Sequence, residues 1–414
     1  MKKKLLIVAG AGASIEFGMP SVKEIDSLFE QWGMQIAHIS GQDKSLYTYV
    51  KEVSNAYYSL NKRNRLDVLS NFERTLFTIQ SLHSIVTDKE GRFNHNLAAF
   101  VDMKELPEVI KFRNEIGRVE GFDFHHLYSR LIDQLLQLFR SRCMTLATQR
   151  SSELQRLAKL IEALQSHFEI GVINLNYDTV LLSACPSLKT GFDPVTGLFN
   201  KKIVYSSGWD FIYHLHGSVH FDLRGQKHDM HQIMWNPDLS STFAQNSSGR
   251  SDDTTTEGNS HIHSAIITGL DKTNQLLKEP FMTYYSQTVR LAYEADAILF
   301  LGYGFGDKHL NRCFNYNRFD EKRRKIVVVD WANMDEDGLQ FRHDHWTYGL
   351  FSAVPYNAHE MLVAGNRIPY PAHHFKRTNS FERSSNPELP MSVWYNGLLA
   401  ACDNPQLILH ELLN

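Results

Sequence analysis

Cysteine is scarce in this chain. Cys143, Cys185, Cys313 and Cys402 are its only four, with no C-x-x-C pair among 414 residues. Zinc ribbons and disulfide scaffolds are built from closely paired cysteines, so neither is expected. An excess of one charge is missing too. Lys plus Arg number 43 and Asp plus Glu 46, a formal charge of −3, which gives nucleic acid no overall basic footprint. No apolar run approaches the ~20 residues that cross a bilayer. Met1 to Lys4 looks like the start of a leader, but the apolar stretch that follows, Leu5 to Ala9, is too short to continue one. The expectation is a cytoplasmic protein without direct nucleic-acid or membrane binding.

What is present is ordinary globular composition, 43% hydrophobic and 21% charged. The length allows one large α/β domain with insertions, or two to three smaller domains. The organising stretch is Leu5 to Gly18, L-L-I-V-A-G-A-G-A-S-I-E-F-G. A short apolar run followed at once by Gly10 and Gly12 reads as a buried strand entering a glycine turn and a helix start. That geometry presents backbone N–H groups and a helix dipole to a phosphate, although it also serves as a plain strand-to-helix turn. The dehydrogenase fingerprint asks for a third glycine where Ile15 stands.

From Ser21 to about Phe168 the chain reads as helical, with Ile25, Leu28, Phe29 and Trp32, then Leu69, Phe72, Leu76 and Ile79, at helical spacing. Leu127, Leu131, Leu135 and Leu138, then Leu154, Leu157, Ile161 and Leu164, continue it. A helical insertion packed over a nucleotide fold is expected. Glu73 lies on one of these helices and is given no role.

Three later stretches carry chemistry. In E-I-G-V-I-N-L-N-Y-D, Val172, Ile173 and Leu175 mark a strand with Asn174, Asn176 and Asp178 at its end, where open α/β sheets place ligands. Asp178 also suits a helix N-cap there. In F-I-Y-H-L-H-G, His216-Gly217 stands beside His214 and His220, and a structural histidine is the plainer reading of such a residue. In A-I-L-F-L-G-Y-G-F-G-D-K-H-L-N, a buried strand ends in Gly302, Gly304 and Gly306, with Asp307 placed as an N-cap. The run Arg324 to Asp330 is a further strand with a polar end, where a ribose or adenine fits. Lys227 to about Ser260 reads as a loop, and its neighbourhood holds His228, His231, His261 and His263, read as surface histidines. Beyond Asp330 aromatic residues and prolines mix, and Val393 to Leu413 is expected to end in helix.

Gly10-Ala11-Gly12-Ala13-Ser14, Asn176-Tyr177-Asp178, His216-Gly217 and the Gly302–Asp307 run, in that order, resemble the signatures of the sirtuin family. The F-G-D-x-H-x-N continuation is similar to its bacterial anti-phage defence branch. The resemblance implies a Rossmann-like parallel sheet over residues 1–330, with a helical insertion at about 20–168 and a C-terminal extension at 331–414. It implies an NAD hydrolase in which Asn176 holds the nicotinamide ribose and a water, Asp178 reads the nicotinamide amide, and His216 is the base. Gly10, Ala11, Gly12 and Ser14 would hold the pyrophosphate, with Gly302, Gly304 and Asp330 toward the adenosine half. Such proteins commonly work beside a helicase-like ATPase, an Argonaute or another sensor, and a homo-oligomer under the control of such a partner is expected here, since an unrestrained NADase would poison its host. A protein deacylase and a non-catalytic sensor of NAD or ADP-ribose remain alternatives, and the missing cysteine quartet counts against the deacylase. The same absence predicts folding that ignores chelators. Elemental analysis after dialysis should find well below about one zinc per chain.

Overall fold

The computed structural model describes residues 2–60, 71–89, 106–111, 114–206, 208–223, 232–240, 252–254, 260–269, 272–314, 324–332, 343–354, 371–387 and 390–414. The apolar run after the N-terminal lysines forms β1 (Lys3–Ala9) and enters a single helical turn, α1 (Gly12–Ile15). Helices α2 (Val22–Gly33), α3 (Leu46–Leu60) and α4 (Phe72–Lys89) follow, then a hairpin of β2 (Glu108–Ile110) and β3 (Ile116–Arg118). The long leucine stripes become α5 (Gly121–Gln149) and α6 (Ser151–His167). Next come β4 (Phe168–Asn174), α7 (Val180–Ala184), α8 (Lys201–Ser206) and β5 (Asp210–His214). Four short strands succeed them, β6 (Phe221–Leu223), β7 (Ile233–Trp235), β8 (Asp252–Thr254) and β9 (Ser260–Ile262). The chain then makes α9 (Lys272–Gln275), α10 (Phe281–Glu294), β10 (Ala297–Leu301), α11 (Lys308–Phe314) and β11 (Lys325–Val329). It closes with α12 (His343–Ala353), α13 (Pro371–Arg377), β12 (Glu382–Arg383), β13 (Met391–Trp394), α14 (Leu398–Asp403) and α15 (Pro405–Leu413).

The main sheet has the order β12-β13-β11-β10-β1-β4-β5. All neighbours run parallel except the β12–β13 pair. Counted along the chain, its six parallel strands stand in the 3-2-1-4-5-6 order of a Rossmann sheet. Successive strands leave β1 first on one side and then on the other, so β1 sits at the topological switch. Leu5 through Ala9 have no exposed surface, as a strand covered on both faces requires.

The chain divides into two compact units. One joins Met1–Met19, Arg142–Ser218 and Pro280–Asn414 and contains the main sheet. The other joins Pro20–Ser141 and Val219–Glu279. It combines helices α2, α3, α4 and most of α5 with the small hairpins. Within it the buried His83 joins α4 to two other segments, Nδ1 lying 2.9 Å from the Gly121 carbonyl and Nε2 3.1 Å from Ser260 Oγ.

Three expectations about organisation are corrected. The sheet does not stop at 330, because β13 adds its sixth parallel strand, α15 packs on β10 and β11, and α14 packs on α6. The preceding Pro387 and Pro390 and the shortness of M-S-V-W hid a strand whose four residues are all buried. The expected insertion at 20–168 is not one body either. Residues 142–168 belong with the sheet, because Leu157, Leu160 and Leu164 of α6 are buried in that unit, and residues 219–279 join the helical one. The Lys227–Ser260 stretch is not wholly loop, since β7 and β8 pair with β6 and β9. Its Asn246–Gly249 core lies outside the described residues.

At the sheet edge, Glu382 is 1% exposed, with Oε2 accepting from the Tyr395 hydroxyl and Oε1 unpartnered among the described residues. Burial pushes its carboxyl up to about 7. A carboxyl raised in the fold releases its proton more readily once unfolded, so stability falls as pH rises from about 4.5 to about 7. Glu382→Gln should remove that loss and gain up to about 3 kcal/mol over wild type across the window. Urea unfolding of both proteins at pH 5 and pH 8 measures it.

Candidate active site

Strands β1, β4, β5, β10 and β11 run parallel, so their carboxyl ends share one edge of the sheet. At that edge the register sets Asn174, last of β4, beside His214, last of β5. Asn174 Nδ2 lies 3.3 Å from His214 Nδ1, and Asn174 Oδ1 accepts from the Asn176 N–H at 3.2 Å. Asn176 then reaches across to the end of β1. Its Nδ2 donates to the Gly10 carbonyl at 2.8 Å and to Ser14 Oγ at 2.9 Å. The Ser14 hydroxyl bonds in turn to Asp178, whose Oδ1 also accepts from the Val180 N–H at 2.9 Å. Asp178, one residue before the N-cap Thr179, therefore holds the first amide of α7 and joins the cluster at once. Burial raises its carboxyl above the ordinary range, against the pull of Ser14 and the Val180 amide. With both amide hydrogens of Asn176 committed, Oδ1 is the part of that side chain without a protein partner among the described residues.

A second cluster forms beyond β5. Gly217, at φ +98°, lets the chain turn sharply after His216, a conformation that a side chain would strain. His216 Nε2 lies 3.0 Å from Asp307 Oδ2, and both residues are 8% exposed. The other oxygen of Asp307 accepts from the His309 and Leu310 N–H groups at 3.1 and 3.2 Å, capping α11. Asp307 is thus the N-cap the sequence suggests and also the partner of the histidine. The loop that carries it is fixed from behind. Asn311 Nδ2 donates to the Phe305 carbonyl at 2.8 Å and to Ser352 Oγ at 3.0 Å, and the Tyr303 hydroxyl donates to Asn311 Oδ1 at 2.8 Å. Phe305, at φ +52°, packs edge-on against Trp346 with ring centroids 5.7 Å apart.

The glycine turn differs from an open phosphate cradle. Gly10 N–H donates to Leu301 O and Gly12 N–H to Gly302 O, each at 2.9 Å, while the Ala13 and Ser14 amides bond within the turn. Ala11, which is exposed, has the one amide of these five without an acceptor among the described residues. The helix behind the turn is only four residues long, so its dipole is slight. The physical cause is adjacency. Strands β1 and β10 are neighbours, and their end turns pair backbone to backbone. A Cβ on Gly302 would sit 2.1 Å from the Ala13 nitrogen, and one on Gly10 would sit 2.8 Å from the Gly302 oxygen. Gly304, by contrast, is exposed, and a Cβ there would meet nothing within 4 Å.

Asp330 is engaged inside the fold, Oδ1 accepting from the Trp331 N–H and Oδ2 from Trp346 Nε1, each at 2.9 Å. The structure thus gathers Gly10, Ser14, Asn176 and Asp178 into one hydrogen-bonded cluster and sets Gly12 against Gly302. His216 joins Asp307, which sequence reasoning left in a capping role. The F-G-D-x-H-x-N run was the available signal. Among the described residues no His, Cys, Asp or Glu group is arranged to hold a metal ion. His228 and His231 lie outside them, and His263 Nδ1 lies 2.6 Å from Lys278 Nζ. No helix among the described residues is long and apolar enough to cross a membrane.

Residues 171–346 match the family model of the SIR2-like domain. The match takes in the second half of β4 and all of β5, β10 and β11, with Asn176, His216 and Asp307, and covers under half of the chain. No curated protein matches. Among solved structures, a Sir2 homologue–NAD complex is 12% identical, with 85% of this chain and 88% of that chain covered at a TM-score of 0.31. Sir2Tm bound to a propionylated peptide is 13% identical, with 84% and 91% covered at 0.31. A mutant Sir2 homologue–ADP-ribose complex is 11% identical, with 85% and 91% covered at 0.33.

The two kinds of glycine separate by experiment. Gly302→Ala forces a Cβ into backbone at a positive φ and should destabilise the protein by about 2 kcal/mol or more. Gly304→Ala should stay within about 0.5 kcal/mol of wild type. Thermal or urea unfolding of the two variants checks both values.

Proposed function

We propose that this chain is an NAD+ glycohydrolase, cleaving NAD to nicotinamide and ADP-ribose and depleting NAD in anti-phage defence. One observation supports this above the rest. Asn176 and His216 follow the adjacent strands β4 and β5 at the carboxyl edge of a Rossmann-ordered sheet, and Asp307, which follows β10, meets His216 there, inside the SIR2-like match. The defence role rests on the resemblance of the F-G-D-x-H-x-N run.

The chemistry suits these groups. Nicotinamide leaves a cationic ring as a neutral one, so the C1′–N bond can break with its electron pair moving to the ring nitrogen and no strong acid nearby. What remains is an oxocarbenium-like ribose that must be positioned and met by water, as in glycoside hydrolysis. Asn176 Oδ1 would accept from a ribose hydroxyl or the attacking water, its amide held still by Gly10 and Ser14. His216 would take the proton released as the water oxygen bonds to C1′. With Nε2 set on Asp307, that exchange would run through Nδ1. Asp178 would read the nicotinamide amide, and the exposed Ala11 amide is the turn's available donor to a phosphate. The open space at Gly304 suits close approach of the adenosine half. NAD enters as substrate, and no zinc is needed. Control would come from self-association and from a regulatory partner, a helicase-like ATPase or an Argonaute-type sensor, since an unrestrained NADase would poison its host.

The test is product analysis of NAD incubated with the protein and its activating partner, with and without an acyl-lysine peptide. Free nicotinamide and ADP-ribose without peptide are expected, and strict dependence on peptide would mean a deacylase instead. His216→Ala and Asn176→Ala should each lower the rate by about 10²–10⁴, with NAD affinity changed much less. A wild-type rate in His216→Ala would remove the histidine from the mechanism.

A further inference from the structure

The two oxygens of the Asp307 carboxylate carry different obligations. Oδ1 accepts from the His309 and Leu310 N–H groups at 3.1 and 3.2 Å, and those amides belong to the first turn of α11. Oδ2 lies 3.0 Å from His216 Nε2. The residue is held so that the two cannot be traded. Its main-chain oxygen accepts from the Asn311 N–H at 2.9 Å as the helix begins. The Asn311 side chain then ties that helix to the Phe305 carbonyl at 2.8 Å and to Ser352 Oγ at 3.0 Å. Both Asp307 and His216 are buried, so a mismatched donor or acceptor between them would find little water to turn to.

An ionised carboxylate can only accept, and a neutral imidazole has one N–H and one lone pair. Facing Oδ2, Nε2 must carry the hydrogen, which makes Nδ1 the basic nitrogen of the ring. We propose that Asp307 is a positioning residue that fixes this tautomer of His216, and that the cap on α11 is what makes the choice rigid. The nitrogen available as base in NAD cleavage is then set by a helix start that lies 91 residues away in the chain. As the water oxygen bonds to C1′, its proton passes to Nδ1, while the Nε2–H stays on the carboxylate and steadies the imidazolium. The proton leaves Nδ1 for solvent before the next turnover. The catalytic consequence rests on reading His216 as the base, whereas the tautomer does not.

The cap also dictates how an amide would sit in place of the carboxylate. In Asp307→Asn the α11 amides still need an acceptor, so the side-chain oxygen stays with them and the NH2 group points at His216. Nε2 must then accept, and the ring hydrogen moves to Nδ1. The change inverts the tautomer and removes the basic lone pair while the cap survives. Asp307→Ser is the complementary change, since serine caps helices well but has no second oxygen for the ring. Two-bond 1H–15N correlation spectra of the full chain, recorded above the end of the His216 titration with His216→Gln identifying the signals, read the tautomer. Wild type should carry the hydrogen on Nε2 and Asp307→Asn on Nδ1. A hydrogen on Nδ1 in wild type overturns the proposal without recourse to any Asp307 variant, and so does a hydrogen on Nε2 in Asp307→Asn. In NAD turnover with the activating partner, Asp307→Asn should lower kcat by about 10²–10⁴ with KM changed much less. Asp307→Ser should slow as well, and a wild-type rate in it would reduce Asp307 to a cap and overturn the positioning role. An inverted tautomer at an unchanged rate would leave the pairing intact and strike His216 from the glycohydrolase mechanism, so the two failures are distinguishable.

Discussion

Everything at the carboxyl edge of the main sheet depends on two turns touching through bare backbone. The ends of β1 and β10 approach until Gly12 N–H donates to Gly302 O, and a Cβ on Gly302 would overlap the Ala13 nitrogen. No side chain fits between them, so the contact can exist only where glycine stands on the second turn. Once it exists, Gly10 presents its carbonyl to Asn176, and Ser14 is carried to where it bridges Asn176 and Asp178. The glycines first read as room for a phosphate are first of all room for the neighbouring strand.

The polar groups divide by what holds them. Asn176 is restrained through its amide hydrogens, which leaves an oxygen as its working end. His216 is restrained through one ring nitrogen by a carboxylate that is itself pinned as a helix cap. In both cases precision comes from a partner with a second structural duty, so neither restraint can drift without disturbing an element of the fold.

Much of this was legible in the sequence, for a physical reason. Strands β1, β4, β10 and β11 are covered on both faces and so read as unbroken apolar runs, and β5 carries the same signal in shorter form. Glycine and polar residues at their ends marked the edge where Asn176 and His216 emerge. What escaped had no local signature. β13 is four residues directly after Pro390, and only its neighbours in the sheet make it a strand. Asp307 reads as a cap from its spacing and is one, but its second bond is to a residue 91 positions away, which no local pattern reveals. The same limit hid Trp346 as the partner of Asp330, and it hid the pairing that consumes the turn's amides.

One contact bears on when the edge can form. Glu16, just past the first turn, accepts from the Leu398 N–H at 2.6 Å and from the Leu399 N–H at 3.2 Å, across a separation of 382 residues for the nearer pair. During synthesis the first strand emerges early, but the helix start that satisfies Glu16 and the strand that completes the parallel sheet come nearly four hundred residues later. Loop closure over such spans is slow, and β1 must wait at the centre of a sheet whose far side is not yet made. A ribosome-bound chain therefore carries the residues of the site long before it can carry the site.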